Sequence, residues 1–308
     1  MKKRFVSFLL FAAFVFVGIV AARPVEAASA VHVDHLMGQP ISEVEKHFGK
    51  QTRTDTVEYS FKMRVYNKNY RNFALAGYIG GKTVAVYTNT PSLVLGDNIR
   101  VGSSRNAVRE QYGKPLSAIR VGNKYYVLNH TNEKDTFLWN GYYITVFYDT
   151  HKGTTVASVM IVKQEYEERA MAKVNITSVV AKSIERQTKD IINAKRAVAG
   201  LKPLEFTPAG ANFAASRSAD MRKRQYFSHY TPEGLSPATQ ASRRGFTYKS
   251  MGENIGLGHR NAIILNERLM NSSGHRSNIL KSSYTHLGVG AKTISNKYAY
   301  VTETFIRR

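Results

Sequence analysis

The strongest constraint in this sequence is an internal repeat. Gly38-Gln-Pro-Ile-Ser-Glu-Val44-Glu-Lys-His-Phe48-Gly49-Lys50 recurs 64 residues later as Gly102-Ser-Ser-Arg-Asn-Ala-Val108-Arg-Glu-Gln-Tyr112-Gly113-Lys114. Val and the aromatic stand at i and i+4 in both copies, which puts them on one face of a short helix. The closing glycine is a helix stop. Runs rich in Val, Tyr, Phe and Thr follow each copy: Val57–Tyr66, Phe73–Ile79 and Thr83–Thr88, then Lys124–Leu128, Tyr142–Tyr148 and Thr155–Val162. Turn pairs such as Gly80-Gly81 and Asn140-Gly141 separate them. The expectation is two similar α+β units over 31–165, each a helix on an antiparallel sheet. The Tyr-rich strands read as core and cross-strand packing. His47, His130 and His151 have no matching positions in the repeat and receive no role.

The N-terminus bears on compartment. Lys2, Lys3 and Arg4 precede an apolar run from Phe5 to Ala22, and Pro24 and the small-residue sites Val25-Glu26-Ala27 and Ala28-Ser29-Ala30 follow. This is the order of a secretory signal, assigned to 1–30. The rival is an uncleaved membrane anchor, since a run of roughly 18 apolar residues just spans a bilayer. Either way the remainder is expected outside the cytoplasm, secreted or wall-associated. The chain has no cysteine, which excludes disulfides, thiolate-held zinc, iron–sulfur clusters and a thiol nucleophile. It does not exclude a metal held by His and carboxylate. The formal charge is +22. Residues 31–180 hold 19 bases and 13 acids, and 181–308 hold 21 and 8, so the second half attracts polyanions more strongly.

A polar stretch over 166–180 is read as a linker, and 181–308 as a second domain. Ile184, Ile191, Ile192 and Val198 give an amphipathic helix stopped at Gly200. Thr207-Pro208 and Ser236-Pro237 each pair an N-cap residue with proline at the first helical position. A fourth helix is expected over about Ala262–Ser272, and strands over His286–Ile294 and Tyr298–Ile306. A small sheet between helices, an α/β/α layering, follows.

Four segments carry the chemistry: Tyr226-Phe-Ser-His229, Gly252-Glu253-Asn-Ile255, Asn271-Ser-Ser-Gly-His275-Arg-Ser-Asn-Ile-Leu280 and Leu287-Gly-Val-Gly290. With Asn193-Ala-Lys-Arg196, Gly200-Leu-Lys-Pro-Leu204 and Glu303-Thr-Phe305, they resemble in order the bacterial branch of the CAP or SCP superfamily of cysteine-rich secretory, antigen 5 and pathogenesis-related proteins. The first half resembles the CAP-associated N-terminal domain, through Gly38–Gly49, Arg64-Val-Tyr-Asn, Ala76-Gly-Tyr and Lys82-Thr-Val-Ala-Val-Tyr-Thr. The resemblance implies an α/β/α sandwich whose cleft gathers His229, Glu253 and His275, behind an accessory α+β domain. Two imidazoles and a carboxylate suit zinc or another divalent metal, or general acid–base work without one. The second acid common in eukaryotic members falls near Ser272; Glu267 lies a turn earlier in another register. Leu269 replaces a common Trp. His259 and His286 match no cleft position and are expected at the surface. No G-x-S-x-G elbow, H-E-x-x-H, Walker A or G-x-G-x-x-G occurs.

Three functions compete. The favoured one is a non-enzymatic envelope module that binds an anionic wall polymer, a membrane surface, a peptide, a small ligand or a metal through the cleft. Arg222-Lys-Arg224 and Arg243-Arg244 flank its first histidine. The second is a divalent-metal hydrolase using His229, Glu253 and His275. The third is a spore or envelope assembly protein acting through the repeat domain. Nucleic acid is disfavoured because no recognition motif accompanies the charge.

Overall fold

The computed structural model describes residues 29–128 and 132–308, so all but the last two residues of the signal expected at 1–30, and His130, lie outside the described residues. The chain enters through β1 (Val31–His32) and turns into α1 (Ile41–Phe48). An antiparallel meander follows: β2 (Arg53–Thr56), β3 (Lys62–Tyr66), β4 (Ala74–Ile79) and β5 (Lys82–Thr88). Short β6 (Leu93–Leu95) and β7 (Ile99–Arg100) lead to α2 (Arg105–Tyr112) and to the hairpin β8 (Ala118–Val121) and β9 (Lys124–Val127). A second meander is β10 (Lys134–Trp139), β11 (Tyr142–Asp149) and β12 (Thr155–Lys163).

The repeat is preserved in three dimensions. Val44 and Val108 are fully buried, with Phe48 and Tyr112 packed beside them. Gly49 and Gly113 end the helices at φ 74° and 78°, where a Cβ would be strained. The amides of Gly38 and Gly102 each donate to a strand carbonyl, Thr83 and Val156, at 2.8 Å. The two units are not separate sheets, however. β12 pairs antiparallel with β5, which joins them as one seven-stranded sheet in the order β10-β11-β12-β5-β4-β3-β2. Fusion removes two unpaired edges that separate units would expose. The expected strand Val57–Tyr66 is half strand: residues 57–61 bend away, and the Tyr59 and Phe61 rings stack at 4.8 Å.

The second half contains α3 (Gln164–Ala172), α4 (Ser178–Val198), β13 (Glu205–Phe206), α5 (Pro208–Arg224), α6 (Pro237–Arg243) and β14 (Ser250–His259). It closes with α7 (Ala262–Asn271), α8 (Ser273–Ile279), β15 (His286–Ile294) and β16 (Tyr298–Arg307). The sheet runs β13-β15-β16-β14, with α5 on one face and α4 with α7 on the other. The Gly-Val-Gly of β15 lets α5 approach: a Cβ on Gly288 would stand 2.0 Å from the Gly210 carbonyl carbon, and one on Gly290 2.2 Å from the Ala215 amide nitrogen. The intervening Val289 faces the α4 side, as strand alternation requires. Ser236 caps α6 through the Thr239 amide, but Thr207 does not cap α5; its hydroxyl accepts from Arg308.

The expected linker is not a tether. Tyr166 and Ala170 pair at i,i+4 on α3, and Ile176 and Val180 are buried beyond it. One apolar cluster runs from Phe61, Phe73 and Tyr87 of the first domain to Ile191, Leu265 and Phe305 of the second. The two domains therefore share a core, and a further cluster lies beneath α1 and α2. Polar bonds cross the same junction. Asp190 accepts from Arg53, Asn67 and Tyr70, while Asp55 accepts from Arg53, Arg186 and Gln187. Glu267 Oε1 receives Tyr87, Ser158 and Lys195 at 2.5–2.6 Å.

Candidate functional site

Glu253 lies on β14, an edge strand. Its side chain is 2% exposed. Arg217, on α5, is itself fully buried and grips this carboxylate: Nε donates to Oε2 at 2.9 Å and Nη2 to Oε1 at 3.3 Å. Such a fork fixes the carboxylate in position as well as neutralising it. The same guanidinium donates to Tyr226 Oη, Gln240 Oε1 and the carbonyls of Ser228 and His229. Arg217 therefore holds both the acid and the loop that carries the first histidine.

His229 completes the pair, with Nδ1 3.0 Å from Glu253 Oε1 and its side chain 43% exposed. His275 sits on α8, which Asn254 fastens to β14: the Asn254 amide donates to the His275 carbonyl and accepts from Asn278. His275 Nδ1 lies 2.7 Å from Ser272 Oγ. Both rings thus spend Nδ1 on a neighbour, and among the described residues Nε2 of each is left without a partner. Burial, and secondarily the His229 charge, lower the His275 pKa, so the neutral ring that can accept or coordinate is favoured. His229 and Glu253 are in contact and His275 stands on α8, each with a distinct role; among the described residues the three do not form a group whose ligand atoms all lie within 4.8 Å of one another. Glu253 orients His229 and is bound by Arg217, and Ser272 orients His275 at the place where a second acid was sought. Glu267 points away, into the domain junction.

A cavity of about 440 Å³ opens beside His275. Phe227, Ile255, Leu257 and Ser272 line it, together with Glu133 from the first domain and His259. His259 is therefore not a plain surface residue. Burial foremost, then Arg268 and Lys134, depresses it to about 4, and it stays neutral above that. His286 is partly buried and lies 3.5 Å from Glu205. Arg217 was missed in the sequence. Its signal was available, since it stands at a core position of α5 between Phe213, Ala214 and Met221.

Behind the site, Glu303 is 1% exposed and accepts from Asn254 at 3.0 Å. Burial raises its pKa to about 7 against that bond. A raised acid binds its proton more tightly folded than unfolded, so stability falls as pH rises from the ordinary carboxylate range through 7. Glu303→Gln is expected to remove about 3 kcal/mol of that loss. Urea denaturation should show it more stable than the parent at pH 8 and without gain near pH 4.5.

A four-stranded sheet sandwiched by helices, with two oriented histidines and a buried Arg–Glu pair at its edge, defines a recognisable class of extracellular-type domain. Residues 189–305 match the model of the cysteine-rich secretory protein family, and 37–172 that of the CAP-associated N-terminal domain. The chain thus carries a CAP domain over 189–305, with that accessory domain in front of it. Among its relatives, the uncharacterized membrane protein YlbC of Bacillus subtilis (strain 168) is 26% identical over 297 residues, covering 88% of this chain and 82% of that protein. The uncharacterized protein YkwD of the same organism is 37% identical over 121 residues, 38% of this chain and 47% of that one. A solved extracellular protein containing an SCP domain from Bacillus anthracis superposes with TM-score 0.76 at 20% identity, covering 93% of this chain and 98% of its own. A cysteine-rich secretory protein from Staphylococcus aureus gives 0.70 at 19%, covering 91% and 94%. These likenesses carry the fold. Among the described residues no helix is long and apolar enough to cross a membrane.

Proposed function

We propose that this protein is a ligand-binding module of the cell envelope, using the cleft of His229, Glu253 and His275 with the cavity shared by both domains. The observation that carries this reading is the state of Glu253. A carboxylate gripped by a buried guanidinium and a histidine has both oxygens engaged and serves to fix those two partners. What remains available is recognition: two imidazole nitrogens, an exposed Phe227, and Glu133 contributed across the junction. The uneven basic charge of the second half supports an anionic wall polymer as ligand. Untagged protein is expected to bind isolated cell wall at low salt and to release it as salt rises. His229→Ala with His275→Ala should weaken binding at least tenfold without shifting the thermal midpoint by more than a few degrees. Unchanged wall binding in that double variant sinks the cleft as the binding site.

A second reading rests on the fixed Nδ1 atoms. Imidazoles oriented from behind by a carboxylate and a hydroxyl are the usual supports of a metal-binding Nε2 pair. His229 and His275 would hold a divalent ion such as zinc, with Glu253 orienting rather than ligating, and the ion would polarise a carbonyl or activate water. Zinc-dependent cleavage of wall peptides, lost in both single histidine variants, would favour it over plain binding.

A further inference from the structure

We propose a second metal site, at the entry of the first domain, formed by His32, Asp34 and His35 and suited to a borderline divalent ion such as zinc. One ligand atom from each of these residues lies within 4.8 Å of the other two. Two ligands of one tetrahedral zinc stand about 3.4 Å apart, so small side-chain rotations close the set. Two imidazoles and one carboxylate are a donor set that selects zinc and its neighbours over calcium or magnesium, and the open positions take water.

A second observation points the same way. His32 Nδ1 and Asp34 Oδ1 are both shielded from solvent, and among the described residues neither has a hydrogen-bond partner. Buried polar atoms are normally satisfied, and an orphaned carboxylate oxygen is costly. A bound cation would satisfy both atoms at once.

The backbone presents the three residues in a fixed frame. β1 pairs in parallel with β6, and the Val31 and Val33 amides donate to Ser92 and Val94 carbonyls. Val33 and Leu36 are buried on either side of the pair Asp34-His35 and anchor it to the domain. The His32 and His35 rings stack at 4.9 Å with planes 17° apart, and His35 is largely exposed. A metal here would fasten the first turn of the domain to its sheet.

The test is a zinc titration of the untagged full chain, followed by calorimetry and by the zinc-induced rise in melting temperature. His35→Ala touches no buried contact and should fold as the parent does; His32→Ala and Asp34→Asn are run beside it. The expected result is a zinc equivalent whose Kd weakens at least tenfold in each variant, with the zinc-induced thermal shift reduced in parallel. The His229→Ala/His275→Ala variant should keep this equivalent, which separates it from any ion in the cleft. Zinc binding that is unchanged in His32→Ala and His35→Ala, or that disappears only in the cleft variant, overturns the proposal. So does the absence of binding tighter than millimolar.

Discussion

Arg217→Met is expected to destabilise the second domain by about 3–5 kcal/mol, because it leaves the buried Glu253 carboxylate without its cation. Differential scanning calorimetry should register a fall of roughly 10 °C or more, at about 2–4 °C per kcal/mol for a domain of this size class. Methionine fills most of the volume, so the loss reports charge and hydrogen bonds rather than a cavity. The double variant Arg217→Met/Glu253→Gln removes the stranded charge and should recover more than half of the loss. A double-mutant cycle with no coupling would show that the pair does not act as a unit. The ligand site should suffer even where the fold survives, since Arg217 also holds the Ser228 and His229 carbonyls.

Glu267→Ala is expected to cost a similar amount, about 3–5 kcal/mol, by a different route. Lys195 is 7% exposed and would be left buried with no counter-charge, and the hydroxyls of Tyr87 and Ser158 would lose their acceptor. Because Tyr87 and Ser158 belong to the first domain and Glu267 and Lys195 to the second, the loss falls on the junction. The parent should unfold in one transition, as a shared core implies, and the variant in two. Glu267→Gln keeps an acceptor and should lie between them. A single unshifted transition in Glu267→Ala would refute the coupling. Together the two variants separate the site from the junction, and wall binding should fall further in Arg217→Met.

Much of this was legible before any coordinates. The 64-residue offset placed two equivalent helices, and both closing glycines have the positive φ their position demanded. Proline after Thr207 and Ser236 located two helix starts, since a first-turn residue can spare its N–H. The ordered motifs named His229, Glu253 and His275, and the first two meet at 3.0 Å. Other features were hidden because they depend on contacts far apart in sequence. β14 reads as a turn, rich in Gly and Asn, and becomes a strand by pairing along its length with β16. One face of the polar helix at 164–172, Tyr166, Glu167 and Ala170, is buried because strands of the repeat domain meet it. Glu253 looked like a free acid because Arg217, 36 positions earlier, carries no local sign of meeting it.

The sequence by itself determined the local devices: the duplicated helix, its stops, the caps, the absence of cysteine and hence reliance on packing, and the set of residue types able to do chemistry. These depend on φ preferences, side-chain branching and spacing, which act within a few residues. Only the tertiary structure decided how the two repeat units fuse into one sheet, how the domains share a core, and what each ionisable group faces. That second set is governed by burial and by charge in a low-dielectric interior, where the nearest partner sets the role of a residue. The same Glu that spacing alone would make a base or a metal ligand becomes, beside a buried arginine, the fixed support of a histidine.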